Sequence, residues 1–163
     1  MGDQAKAAGA SALKQRIDQD TKEALKKKNN LRLNVLRMLK SEIGYKEIEK
    51  GSELSDDEVI SVLCSSVKKR KDSIEQFEKG GREDLVAREK AELEEILKYL
   101  PKQLTEEELC RIISQAIKEV DATGPSDLGK VMKQVMPEVL GRADGKRVNQ
   151  LVSSQLQSMI SNS

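Results

Sequence analysis

Apolar side chains recur every three or four residues along almost the whole chain, from roughly position 13 to position 160. This spacing is that of one face of an α-helix, and no long stretch shows the two-residue alternation of a half-buried strand. Charged residues make up 35% of the chain and aromatic residues only 2%, which is also typical of helical proteins. The sequence therefore predicts an all-α fold without a sheet.

Local signals predict where these helices begin and end. Ser55–Glu58 and Thr105–Glu108 each match a capping box, and Ser11 is predicted to cap the first helix. Helix breaks are predicted at Asn29-Asn30, Gly51, Gly80-Gly81, Pro101, Gly124-Pro125 and Pro137. The fourth helix is predicted from about Glu83 to Leu100, the sixth between Ser126 and Pro137, and the last from Asp144. These signals together predict about four longer helices followed by three shorter ones.

The connection around Pro101 divides the chain into two predicted subdomains. Residues 1–10 show no strong pattern and are expected to form a flexible tail. Residues 11–100 are predicted to form an N-terminal helical subdomain, and residues 104–163 a C-terminal subdomain of three helices. The connection is short, so we expect the orientation of the two subdomains to vary.

Charge and composition restrict the class of protein. The net charge of +1 gives no global electrostatic reason to bind nucleic acid or a membrane. No apolar run is long enough for a membrane span, and the N-terminus lacks a hydrophobic signal core. Cys64 and Cys110 are far apart and form no CxxC motif, which is typical of a reducing compartment. The expectation is a cytoplasmic protein that does not bind a membrane.

The residues offer little catalytic chemistry. Histidine is absent, which removes the commonest general base and the commonest metal ligand. Cys64 and Cys110 are predicted to lie on apolar helical faces as small core residues, since neither has a base nearby in the sequence. Two charged groups are predicted to be solvated surfaces: Glu89, Glu92, Glu94 and Glu95 between lysines, and the basic run Lys68-Lys69-Arg70-Lys71. No metal, cofactor or catalytic residue is predicted.

The segment Gly129–Val148 differs from the rest, with three glycines and a proline in twenty residues. Gly141 and Gly145-Lys146-Arg147 resemble a Walker A loop but are one residue short, and Arg147 replaces the required Ser or Thr. Pro137 and Gly141 are predicted to form a turn, and Asp144 to cap the last helix. The basic first turn of that helix suits a phosphate, yet Asp144 suits it equally well. The residues alone leave open whether this segment is a structural corner or an anion site.

Several blocks of the chain, taken in order, resemble the GatB/YqeY family over roughly residues 11–160. The two most specific blocks are Tyr99–Leu104 and the segment Gly129–Asn149, which contains Met136-Pro137 and Gly141–Lys146. The weaker ones are Leu36–Ile43, Lys68–Ile74 with Phe77, and Gly81–Leu85. The resemblance implies an all-helical protein similar to the tail domain of the B subunit of glutamyl/aspartyl-tRNA amidotransferase. That tail touches transfer RNA, whereas the chemistry lies in other parts of the enzyme.

Two functions follow as hypotheses. The first is a free-standing tRNA-binding or tRNA-associated accessory module, linked at most indirectly to carbon–nitrogen ligase activity with glutamine as amido-N-donor. Its candidate RNA- or anion-binding residues are Arg142, Lys146, Arg147, Lys130 and Lys133, with Pro137, Gly141, Asp144 and Gly145 as the turn and cap. The second is a helical protein-interaction module with no RNA role. Its partner would be a protein of the translation or tRNA-charging machinery, and Met132, Val135 and Met136 would supply apolar contacts.

Overall fold

The computed structural model describes residues 11–162, so the predicted tail at 1–10 lies outside the described residues. Seven α-helices and one short 3₁₀ turn make up this part of the chain, and none of its residues lies in a strand. The all-α prediction is confirmed. The chain divides into two compact units, the first ending at Leu100 and the second beginning at Pro101.

The first unit contains four helices. They are α1 (Ala12–Lys26), α2 (Asn30–Lys50), α3 (Asp56–Lys79) and α4 (Glu83–Leu97). Helix α1 packs against α2, and α3 packs against α4. Side chains from all four helices form one shared core. The core side chains Ile17, Leu36, Leu39, Ile43, Val59, Leu63 and Ile96 are at most 1% exposed.

The second unit contains α5 (Glu106–Glu119), a 3₁₀ turn (Pro125–Asp127), α6 (Leu128–Val139) and α7 (Gly145–Ser161). Each of the three helices packs against the other two. Its core is built from the residues Leu109, Ile113, Val131, Val135, Val139, Val148, Val152 and Leu156. With 17 residues, α7 is longer than α1 and α4, which have 15 residues each.

The predicted capping residues begin the helices as expected. The side chains of Ser55 and Thr105 accept hydrogen bonds from the backbone N–H groups of Glu58 and Glu108. In return, the carboxylates of both glutamates accept hydrogen bonds from the backbone N–H groups of Ser55 and Thr105, so both capping boxes are confirmed. Ser11 caps α1 by accepting a hydrogen bond from the N–H of Lys14. These signals are local, because each satisfies orphan donors within three residues of itself.

Pro137 does not end α6 as predicted. It lies inside the helix, which continues to Val139. Val139 is only 1% exposed, and burying a valine stabilises the fold by about 1.5–3 kcal/mol. That gain is comparable to the roughly 3 kcal/mol that an interior proline costs. Two other predicted boundaries also shift, since α4 ends at Leu97 rather than Leu100 and α6 begins at Leu128 rather than Ser126.

A buried ion pair in the first unit corrects the prediction of solvated charged surfaces. Arg70 and Glu92 are each only 9% exposed. The guanidinium of Arg70 contacts both Glu92 and Glu89, the latter at 3.0 Å, and donates to the sulfur of Met38 at 3.1 Å. Arg70 follows Leu63 and Val67 along the buried face of α3, which places a charged group among apolar neighbours. Glu89 and Glu95 are half-buried, and the prediction holds for the exposed residues Lys68, Lys69, Lys71 and Glu94.

A second polar cluster surrounds Tyr99, which is 4% exposed and lies just after α4. Its hydroxyl donates to Asp20 at 2.6 Å and accepts from Arg32 at 3.3 Å. The guanidinium of Arg16 lies 4.7 Å from the centre of the ring and donates to the carbonyl of Lys98 at 3.2 Å. Together these contacts hold the C-terminal end of the first unit against α1 and α2.

Candidate nucleic-acid interface

The turn between α6 and α7 is built from backbone hydrogen bonds and one left-handed residue. The N–H groups of Arg142 and Ala143 both donate to the carbonyl of Val139, at 2.8 and 3.2 Å. Gly141 is buried and has a φ of 74°, in the region that favours glycine. Asp144 is the N-cap of α7, and its carboxylate accepts from the N–H of Lys146 at 3.1 Å.

The segment that leads into α5 binds this turn. We call Lys102–Leu104 the strap. The side-chain amide of Gln103 donates to the carbonyl of Gly141 at 2.7 Å, and the N–H of Leu104 donates to the carbonyl of Arg142 at 2.8 Å. These two bonds satisfy backbone carbonyls that the turn leaves without helical partners. The strap therefore gives the turn a structural role in the second unit.

Both predicted arginines are engaged by protein groups. The Nε of Arg142 donates to the carbonyl of Lys102 in the strap at 3.4 Å. The guanidinium of Arg147 forms an ion pair with Glu106 in the first turn of α5 and lies 3.4 Å from the side-chain oxygen of Gln150. Since the Arg147–Glu106 pair is exposed on both sides, it contributes about 0–1 kcal/mol and is screened by salt.

The acidic first turn of α5 lies close to these cations. The N–H of Thr105, hydrogen-bonded to Glu108, is the main cause that lowers the pKa of the Glu108 carboxyl, and the charges of Lys102 and Arg142 lower it further. The corner formed by the strap and the turn is thus a mixed-charge surface. Sequence reasoning missed this because α5 and α7 begin about 40 residues apart in the chain and no local spacing relates them.

The three predicted lysines differ from the arginines. Lys130 and Lys133 on α6 and Lys146 in the first turn of α7 are all exposed. Within residues 11–162 none of their ammonium groups forms an ion pair or a side-chain hydrogen bond. Lys130 and Lys133 are three residues apart and so lie on one side of α6, opposite the buried Val131 and Val135. Lys133 and Lys146 are available to a ligand without breaking a protein contact. Lys130 has an acidic neighbour, since its charge adds to the hydrogen bond from the N–H of Thr123 in lowering the pKa of the Asp127 carboxyl.

The other candidate functional features are the cysteines, possible metal ligands and possible membrane-spanning helices. Cys64 and Cys110 are both half-buried, so neither is fully a core residue. Within residues 11–162 no group of His, Cys, Asp or Glu side chains could hold a metal ion. No helix in this range has the length and apolar content needed to cross a bilayer.

Comparison with known proteins identifies relatives of nearly the whole chain. The model of the family described as Yqey-like protein matches residues 14–156. A protein of Kluyveromyces lactis named Altered inheritance of mitochondria protein 41, mitochondrial, is 33% identical over 156 residues, which cover 90% of this chain and 81% of the relative. Proteins of the same name from Pyrenophora tritici-repentis and Lachancea thermotolerans are 29% and 35% identical, over 89% and 68% of this chain and 79% and 60% of their own length.

These names contradict the prediction of a cytoplasmic protein, because each relative is named as mitochondrial. The prediction was wrong because it rested on an N-terminus without a hydrophobic signal core and on two cysteines that form no CxxC motif. The first feature argues against a secretory signal but not against import into mitochondria, since mitochondrial transit peptides are amphipathic. The second indicates a reducing compartment without specifying which one.

Proposed function

The chain belongs to the Yqey-like protein family, and on this premise we propose that it is an accessory module without an active site of its own that associates with tRNA. The observation that carries the proposal is the state of the three lysines. Lys130, Lys133 and Lys146 are exposed, and an ammonium group without a protein partner binds phosphate as a point charge.

The composition of the surface favours folded RNA over single strands. Single-stranded RNA is held largely by stacking on exposed aromatic rings. Of the three aromatic residues, Tyr99 is buried and Phe77 is half-buried, which leaves Tyr45 as the exposed one. Contacts to the phosphates of a folded RNA need no such rings.

In this proposal Arg142 and Arg147 have a different role from the lysines. Arg142 holds the strap, and Arg147 bridges α7 to Glu106 of α5. The ion pair with Glu106 offsets part of the positive charge that Arg147 offers to a phosphate. The lysines are therefore the main phosphate contacts, and the arginines mainly maintain the corner.

The test is a series of tRNA titrations at several salt concentrations. Replacing Lys130, Lys133 and Lys146 with Gln is expected to weaken binding and to flatten its log–log salt dependence by roughly 0.7–0.9 for each phosphate that the variant no longer binds. The matched control replaces Lys68, Lys69 and Lys71, three exposed lysines of α3, and is expected to change neither quantity. If both triple variants bind tRNA with the parent's slope, or if the parent does not bind tRNA at low salt, the proposal is wrong.

A second function, a protein-interaction module, is favoured by one patch of the first unit. Tyr45 and Ile48 are 71% and 79% exposed and lie three residues apart on α2. Of the predicted apolar contacts, Val135 is fully buried in the core of the second unit, and Met132 and Met136 are half-buried against that core. Capture of partners from extract with and without nuclease separates the two functions, since protein partners that survive nuclease and are lost in Tyr45→Ser/Ile48→Ser support this one.

A further inference from the structure

The connection between α1 and α2 forms a rigid, basic hairpin tip, which we define as Leu25–Leu31. The N–H of Lys28 donates to the carbonyl of Leu25 at 3.2 Å, and the N–H of Asn29 donates to the carbonyl of Ala24 at 3.0 Å. This pair of bonds is the Schellman pattern that closes a helix. Asn29 then caps α2 through the N–H of Arg32, so the tip has a defined shape.

Cations are concentrated on this tip. Lys26, Lys27 and Lys28 are all exposed, as is Lys22 one turn earlier on α1. Among residues 11–162 only Lys27 of these four has an acidic partner, Glu23 at 2.6 Å. Although the net charge of the whole chain is only +1, the hairpin tip therefore has a local excess of positive charge.

Lys28 occupies a backbone position that disfavours it. Its φ is 54°, in the left-handed region where a Schellman turn usually has glycine. The same turn after α3 has Gly81 at a φ of 69°, whereas the one after α5 has Asp121 at a φ of 53°. The C-terminal helix dipole explains why lysines are stabilising at positions 26 and 27, but it does not offset the backbone strain at position 28.

Two exposed leucines flank these lysines. Leu25 near the end of α1 is 56% exposed, and Leu31 at the start of α2 is 37% exposed. Large apolar side chains beside a cluster of lysines on an exposed turn combine the two interactions that hold a protein on an anionic bilayer. Leucines gain nothing from a phosphate backbone, and no aromatic residue lies in the tip for stacking.

We infer that the α1–α2 hairpin tip is a peripheral binding site for an anionic phospholipid surface. Lys22, Lys26 and Lys28 contact the lipid headgroups, and Leu25 and Leu31 enter the boundary between headgroups and acyl chains. The tip is remote in sequence from the lysines of the proposed tRNA contact. The two sites can therefore be tested separately.

Cosedimentation of the full chain with vesicles tests the charge requirement. We expect binding to phosphatidylcholine vesicles that contain phosphatidylserine, no binding to pure phosphatidylcholine, and loss of binding as salt shortens the Debye length to below about 10 Å. Lys26→Gln/Lys28→Gln should weaken binding by about fivefold per lysine. The control Lys68→Gln/Lys71→Gln removes two exposed lysines of α3 and should have no effect.

Lys28→Gly separates binding from folding. Glycine relieves the left-handed strain, so the thermal midpoint should rise while vesicle binding falls about fivefold. Leu25→Ser/Leu31→Ser, with helicity checked by circular dichroism, should also weaken binding.

The inference is wrong if the parent does not bind vesicles that contain phosphatidylserine, or if the α3 control loses as much binding as the tip variant. Loss of tRNA binding in the tip variant without any vesicle binding by the parent would instead assign the tip to nucleic acid.

Discussion

Tyr99 lies two residues before Pro101, yet it is buried and its hydroxyl is hydrogen-bonded to Asp20 and Arg32. Burial of the ring is the main cause that raises the pKa of its hydroxyl to about 12, and the hydrogen bond it donates to Asp20 raises it further. The fold therefore favours the neutral phenol. The resulting stabilisation is fully present below the unfolded pKa near 10 and is lost as pH rises through about 12.

We expect the free energy of unfolding to fall by on the order of 2 kcal/mol between about pH 10 and pH 12 because of Tyr99. Tyr99→Phe should be less stable at neutral pH, since Asp20 and Arg32 lose a partner, and should lack this part of the alkaline loss. Denaturant unfolding at several pH values, with Tyr45→Phe as the exposed control, measures the difference. Identical alkaline losses in the parent and Tyr99→Phe would contradict the assignment.

At the scale of elements, the strap holds the turn between α6 and α7 in place through two hydrogen bonds. Helices α5 and α7 are long enough to be predicted from their own periodicity, but the turn that precedes α7 depends on Gln103 and Leu104 from before α5. The strap and the turn belong to the two most specific blocks of the family resemblance. Their contact gives a structural reason for both blocks that is independent of RNA.

Gln103→Ala is therefore expected to destabilise the fold by about 1–2 kcal/mol, because the buried carbonyl of Gly141 loses its hydrogen-bond donor. Gln115→Ala is the matched control, since among residues 11–162 that amide bonds only to Glu119 on the exposed face of α5, and it should cost less than about 0.5 kcal/mol. Urea unfolding of both variants makes the comparison. Equal stability of the two would show that the strap does not support the turn.

At the scale of the whole molecule, the two units have separate sets of apolar residues. Each also has its own N-cap signals, Ser11 and Ser55 in the first unit and Thr105 and Asp144 in the second. A unit with its own core can in principle fold alone. The second unit is small, so its independent stability depends on keeping the strap.

A fragment of residues 101–163 is expected to be helical by circular dichroism and to unfold cooperatively. A fragment of residues 105–163, which lacks the strap, should have a lower thermal midpoint. A random-coil spectrum for the longer fragment would mean that α5, α6 and α7 depend on the first unit. Equal midpoints would mean that the strap is dispensable.

The sequence by itself determined the helices, their capping boxes and most of the apolar core, because these depend on residues within four positions of one another. The tertiary structure decided what links distant positions. It continues α6 past Pro137 because Val139 packs in the core, and it buries Arg70 with Glu92, 22 residues apart. It also pairs Arg147 with Glu106, 41 residues apart. The helical spacing of Arg70 with Leu63 and Val67 could have indicated its burial, but its partner could not be chosen, because opposite charges attract wherever the fold brings them together.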